Sequence, residues 1–408
     1  MATNGVNSWD EIGLAASEAT WGQTQLPVTA DALEIISLSL GPSAEVGKTR
    51  AKKDRPQGRG MQTGFVEGDV EPFPFTAKYS QKSRALVDSP AKDLVLMKAA
   101  GLTQTITAST NTVLVPGATP IASGTFNSAQ LVRYFGKVDS LHEAEYLNGC
   151  VVESLEWSGG DTEVMVTASG KGVVKTHLGA VDSATFASAV TTSITPTASE
   201  VRRFGAANPN PSGTFNNVFM QIEAEVIDIR APDYITPAFS PINRALAGTT
   251  GAAHTAKRMF PYMPILSAFT GSPISEANCT AILGTISPIL LMSWNIKLTT
   301  GMALRPHETS SKYVQGPKSL RTDWSVKAKM FLSGNRVDLL GYIRNRDTLS
   351  LTITQGSGVG GIISFTFPTV EVMPFTIPDT ENDSAIVDVE FRVRENGTGN
   401  NSCTITLT

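Results

Sequence analysis

The chain has little charge, few cysteines, few histidines and no long apolar run, and each shortage removes a class of function. Asp, Glu, Lys and Arg make up 17% of its 408 residues, against about 25% in an ordinary soluble domain. A surface so poor in charge suits a protein that is covered by partners. The formal net charge of −4 supplies no overall attraction to nucleic acid or to an anionic membrane. Cys150, Cys279 and Cys403 stand far apart, which gives neither a disulfide framework nor a metal-ligand pair and fits a reducing compartment. The histidines, His142, His177, His254 and His307, are scattered. His142, in HEAEY, has acidic neighbours at i+1 and i+3, and that spacing makes neither a zinc site nor a catalytic triad. No apolar stretch approaches the roughly 18 residues of a membrane span. The opening MATNGVNSWDEIGLAAS lacks the basic start and apolar centre of a secretory signal. The expectation is a protein made in a cytoplasm, with no cofactor, no metal and no membrane partner.

One stretch imitates a phosphate-binding loop. In GPSAEVGKTR (41–50) five residues separate Gly41 from Gly47, where that loop requires four before its Gly-Lys-Ser/Thr. Downstream, AKKDRPQGRG places Pro56, Gly58 and Gly60 where the phosphate-holding helix has to run. GSGVGG (356–361) lies between two apolar runs and reads as a hairpin turn rather than a phosphate cradle. No nucleophile, base and orienting group come together, so the chain is not read as an enzyme.

What is abundant is alternation with a period of two. In SAIVDVEFRVREN (384–396), Val387, Val389, Phe391 and Val393 share one face, and Asp388, Glu390, Arg392 and Arg394 share the other. FMQIEAEVIDIR (219–230) reads as one strand, with Met220, Ile222, Ala224 and Val226 opposite Gln221, Glu223 and Glu225. CTITLT (403–408) alternates again. These are half-buried antiparallel strands. Two helices stand out. SPAKDLVLMKAAG (89–101) has Ser89 to cap it, Pro90 at its first turn and Gly101 to end it. NRVDLLGYIRN (335–345) carries Leu339, Leu340 and Ile343 as a stripe.

The two ends of the chain carry the same order of elements. Near the N-terminus it runs ALEIISLSL, a basic loop (48–60), GFVEGDVEPFPFTAKYS, a helix, then LVRYFGKV, NGCVVESLEWS and DTEVMVTASGKG. Near the C-terminus it runs ILLMSWNIKLTT, a loop (301–319), RTDWSVKAKMFL, a helix, then LSLTITQ, GIISFTFPTVEVM and SAIVDVEFRVREN. Such self-similarity points to an internal duplication. The expected organisation is a first β domain at 1–175, a Ser/Thr/Ala/Pro-rich connecting region with at least one strand at 176–288, and a second β domain at 289–408.

This order, with the residues that fill it, resembles the tail tube proteins of long-tailed (siphophage-type) bacteriophages. The resemblance rests on Trp21-Gly22 before LEIISLSL, the basic loop, GFVEGDVEPFPFTA, the helix Leu94 to Gly101, and the pair NGCVVESLEWS and TEVMVTASGKG. In the second copy it rests on WNIKLTTGMALRP, WSVKAKMFLSGN, LLGYI, FPTVEVM and VDVEFRV. It implies a mainly β fold of two tandem β-sandwich or half-barrel units, each with a short flanking helix. It also implies oligomeric rings whose inner strands close into a β-barrel, with rings stacking into a conduit for the genome. With two units per chain, three chains make a ring with pseudo-sixfold symmetry, and a hexamer of chains is the rival. The implied partners are further copies of the chain, a tape-measure protein, tail terminator and tail-tip proteins, and genomic DNA passing through the lumen. The implied place is the virion tail, assembled in the host cytoplasm. Another β-rich virion protein, such as a tail-tip ring or capsid decoration protein, is the alternative.

Within that reading, Lys48, Arg50, Lys52, Lys53, Arg55 and Arg59 form the loop expected to dock on the next ring. A cluster of cations registers assembly better than any single screened charge. A solvated loop is the plainer reading of the same run, and DNA binding is disfavoured because no aromatic residue interleaves for base stacking. Glu223, Glu225, Asp388 and Glu390 are the candidates for a lumen wall that repels phosphate, the alternative being a face toward outside solvent.

Overall fold

The alternation in the sequence becomes alternation of burial. In the strand Asp323–Phe331, Trp324, Val326, Ala328 and Met330 are buried and the residues between them are not. The strand Ile386–Val393 buries Val387, Val389 and Phe391 and exposes Asp388, Glu390 and Arg392. In this computed structural model the described residues are 11–19, 21–28, 35–41, 72–81, 94–107, 110–116, 127–135, 143–196, 218–229, 232–233, 238–239, 242–264, 273–276, 278–305, 315–319, 322–331, 336–358, 361–375, 386–394 and 402–408. The fold is mainly β and antiparallel, and the described residues form a 16-stranded sheet, a five-stranded sheet and two short helices.

One pairing path occurs twice. In the first unit the strands neighbour one another in the order Ile35–Leu40, Phe73–Ser80, Met165–Gly172, Glu143–Gly160, Ala129–Phe135, Glu11–Ser17. In the second the order is Ile286–Thr299, Asp323–Phe331, Ile386–Val393, Ile362–Val372, Thr348–Gly356, Thr280–Leu283. Along the chain each unit visits these positions in the same sequence, with a helix following the second strand of the path. In the second unit Thr280–Leu283 also pairs with Ile286–Thr299, so its path closes on itself.

The helices stop where the backbone turns left-handed. Leu94–Ala99 ends at Gly101, whose φ is 83°, a conformation glycine adopts without steric cost. Arg336–Asn345 ends at Arg346, with φ 55°. Leu94, Leu96, Met97 and Ala99 of the first helix are buried, as is Leu339 of the second.

The two units share one core. Ser154–Gly160 of the first pairs with Ser293–Thr299 of the second, and Thr112–Leu114 pairs with Ile405–Leu407. At the seam Trp157 stacks on Trp324, with ring centroids 6.2 Å apart, and meets Phe365 edge-on at 5.6 Å. Trp294 lies 5.3 Å from the same Phe365 ring. Aromatic contacts of this kind add roughly 0.5–1.5 kcal/mol each to the area they bury.

The connecting region forms a sheet of its own, in the order Val181–Phe186, His254–Pro261, Val218–Ile222, Glu225–Ile229, Ile242–Leu246. It packs Phe186, Met220, Ile222, Ile227 and Ile229 against Leu14, Val132, Tyr134, Ala144 and Tyr146 of the first unit. The strand Glu143–Gly160 therefore lies between two cores over its first half, where Ala144 to Val152 are buried without interruption. Beyond that point it alternates, which is the expected change from a doubly covered to a singly covered strand.

The expected single strand at 219–230 is a hairpin. Glu223 and Ala224 form a two-residue turn, with Glu223 at φ 51°. Ile222 pairs with Glu225, and residues paired in this way share a face. Glu225 thus falls on the core side with Ile222 and Ile227, and Val226 falls opposite, beside Gln221.

Candidate functional site

The seam aligns strands of both units into one broad polar face. One row crosses it as Lys78, Thr167, Glu156, Lys297, Ser325 and Arg392. The next runs Ser80, Met165, Ser158, Asn295, Lys327 and Glu390. Asp388 pairs with Lys329 in the row beyond. Asp388 and Glu390 thus stand on this solvent face as alternation requires, yet each sits opposite a lysine, and Glu156 sits opposite Lys297. Asn295 donates to Glu156 at 2.6 Å. A concavity of about 360 Å³ opens there, lined by Ser293, Asn295, Lys327, Lys329, Asp388 and Glu390. Charges of both signs are interspersed among hydroxyl and amide groups. Such a surface is well hydrated and presents no run of one sign to grip a polyanion.

Behind that face a buried glutamine locks the seam. Gln355 Oε1 accepts from the Gly160 N–H and from Trp294 Nε1, both at 2.7 Å. Its Nε2 donates to the Thr162 carbonyl at 2.8 Å and to the Ser275 carbonyl at 3.0 Å. All its hydrogen-bonding atoms are engaged, and they tie the first unit and the connecting region to the second. Gly159 makes room for it: a Cβ there would lie 2.3 Å from Gln355 Oε1.

The basic loop residues Lys48, Arg50, Lys52, Lys53, Arg55 and Arg59 lie outside the described residues, but the loop's start is fixed. Gly41 N donates to the Pro74 carbonyl at 2.7 Å, and a Cβ at Gly41 would lie 2.8 Å from the Pro74 ring. The first glycine of the phosphate-loop lookalike therefore serves a close backbone approach. Lys175 Nζ, almost fully buried, donates to the Leu40 carbonyl at 3.1 Å and also to that of Gly41. It pairs with Glu145 at 3.3 Å. Burial alone raises the Glu145 carboxyl, but His177 and Lys175 hold it below its ordinary value.

Glu223 and Glu225 belong to the connecting sheet, not to the polar face. Glu225 is only 1% exposed in its side chain, which corrects the expectation that it faces a lumen. Arg244 binds it through Nε and Nη2, both at 2.6 Å, and His254 Nε2 lies 2.8 Å away. The backbone of Ala252 and Ala245 donates to it as well. Burial works to raise this carboxyl, yet Arg244 and His254 bring it down to about 2. Glu223 is half exposed and holds Lys257 at 2.7 Å and His254 Nδ1 at 2.8 Å. This arrangement braces a hairpin turn.

A further carboxylate, half-buried, escaped the sequence reading. Glu18 accepts from Gly149 N at 2.6 Å, Gly22 N at 2.9 Å and the Ser128 hydroxyl at 2.5 Å. Burial pushes its carboxyl up to about 7 against those three bonds. No family model matches the chain, and no curated protein matches it.

Proposed function

We propose that the chain is a structural subunit of a phage-type tail tube, assembling into rings that stack into a hollow conduit. The observation that carries this reading is the doubled pairing path with a built-in seam. Two equivalent units already lie side by side, joined strand to strand at Ser154–Gly160 and Ser293–Thr299. Three such chains repeating the junction head to tail make a closed ring of six units, and closure removes exposed strand edges. The polar face that runs across the seam suits a lumen wall. Its paired charges stay wet and leave DNA free to slide, with Asp388 and Glu390 contributing the anionic half.

In this reading the loop with Lys48, Arg50, Lys52, Lys53, Arg55 and Arg59 docks on the neighbouring ring. Reversing Lys52, Lys53 and Arg55 to Glu then leaves rings intact and abolishes tubes. Negative-stain electron microscopy of the concentrated protein, with native mass measurement of isolated rings, tests the whole proposal. Hollow tubes built from three-chain rings support it. Six chains per ring overturn the stoichiometry, and a chain that stays monomeric at every concentration overturns the function.

A further inference from the structure

A sheet face that runs from the second unit onto the hairpin Leu102–Thr107 and Asn111–Pro116 of the first holds two neighbouring rows without a charge. One row runs across seven strands as Leu290, Thr280, Thr354, Ser364, Thr406, Val113 and Thr105. The next holds Ile282, Thr352, Thr366 and Thr404, with Val115 and Thr103 paired farther along the sheet. Neither row contains Asp, Glu, Lys or Arg, and Leu290 and Ile282 are 57% and 44% exposed. The polar face described above carries lysine or carboxylate in every row, so the contrast lies within one molecule.

Three observations bear on what covers this face. The equivalent strands of the first unit, Glu11–Ser17, Ala129–Phe135 and Glu143–Gly160, turn the corresponding residues Leu14, Val132, Tyr134, Ala144 and Tyr146 under the connecting sheet. In the doubled fold this layer position is thus a contact surface once already. The sheet then ends at Leu102–Thr107, which pairs only with Asn111–Pro116 among the described residues. Its sequence LTQTIT lacks the lysine, proline or bulge that ordinarily keeps an edge from pairing with other strands. Finally, a charged partner would lose hydration against hydroxyls and methyls that offer no counter-charge, which selects an uncharged β surface as the mate.

We propose that this threonine-rich face is a contact surface between copies of the chain. The proposal rests on reading the chain as a self-assembling subunit. At ordinary strand spacing the face measures roughly 30 Å by 15 Å, so a pair of copies covers about 900 Å² in all. That is below the roughly 1,200–2,000 Å² of specific stable interfaces, and it suits a contact made within a larger assembly rather than an isolated dimer.

The test uses a thiol reporter. Cys150, Cys279 and Cys403 are all buried, so Thr354→Cys introduces the accessible thiol. Maleimide labelling of this variant is compared between dilute monomer and purified assembly. The expected result is labelling slowed at least tenfold on assembly. A companion Thr352→Lys/Thr366→Lys variant is expected to keep the parent's circular dichroism and melting curve while failing to assemble. Labelling at the monomer's rate within a formed assembly overturns the proposal and leaves the subunit reading standing. A parent protein that never assembles overturns both.

Discussion

Gln355→Leu removes four hydrogen bonds at the seam while nearly conserving volume. Two of the groups it orphans, the Gly160 N–H and Trp294 Nε1–H, lose a fully buried acceptor. The carbonyls of Thr162 and Ser275 are part-buried and water reaches them at little cost. A buried donor without an acceptor costs about 1–3 kcal/mol, so the two together cost roughly 2–6 kcal/mol. The leucine's added apolar burial returns about 1 kcal/mol. The net destabilisation is about 3 kcal/mol, read as a lower midpoint in thermal unfolding followed by near-ultraviolet circular dichroism. A double-mutant cycle sharpens the test, because Trp294→Phe deletes one orphan. The Gln355→Leu/Trp294→Phe protein should then be less destabilised than the sum of the singles by about 1 kcal/mol. A Gln355→Leu protein within about 0.5 kcal/mol of the parent, the range of an ordinary surface change, would sink the idea that this glutamine locks the units.

Three further outcomes follow from buried groups. Trp157→Ala should cost about 3–5 kcal/mol in urea unfolding. Trp157→Phe should cost under about 1.5 kcal/mol, because the indole N–H finds no hydrogen-bond partner among the described residues; equal losses would contradict that packing account. Glu18, raised to about 7 from an ordinary 4.5, binds its proton more tightly folded than unfolded. Its stabilising contribution is therefore full below pH 4.5 and is lost as pH rises through 7. Glu18→Gln should flatten the decline in stability across that window, and an unchanged slope would assign the titration elsewhere. Lys175→Met leaves the Glu145 carboxylate and the Leu40 and Gly41 carbonyls without their cation, at a cost of about 3–5 kcal/mol. Adding Glu145→Gln should recover part of that loss in chemical denaturation, and no recovery would refute the ion pair's role.

Much of the fold was legible because period two is a local property. Asp323–Phe331, Ile386–Val393 and both helices follow directly from residue spacing, and so does the recurring order of elements. The connecting region was not legible. Its hairpin at Val218–Ile229 turns on Glu223-Ala224, with no glycine or asparagine to announce a two-residue turn, so alternation seemed to run on through it. That hid Glu225, whose burial depends on Arg244 and His254 arriving from distant strands. Gln355 did leave a trace: it occupies the inward register of Leu351 and Ile353 in LSLTITQ, where a polar side chain needs partners. Naming those partners required the pairing of units far apart in sequence. The residues of the basic loop are outside what the structure describes, and the candidates on the polar face became meaningful only when their lysine partners were placed beside them.

The ladder between Leu114 and Ile405 sets a schedule for synthesis. The hairpin Leu102–Thr107 and Asn111–Pro116 leaves the ribosome long before the strand that borders it exists. At roughly 5–20 residues per second, the partner strand arrives some tens of seconds later. Until then the hairpin keeps an open backbone edge on each side, and nascent chains on neighbouring ribosomes present the same edges. The first unit cannot finish folding as it emerges, so its completion is a late event that waits for the second. Slowing translation between the two units should lengthen that exposure and raise aggregation, whereas slowing it ahead of Leu102 has no such effect.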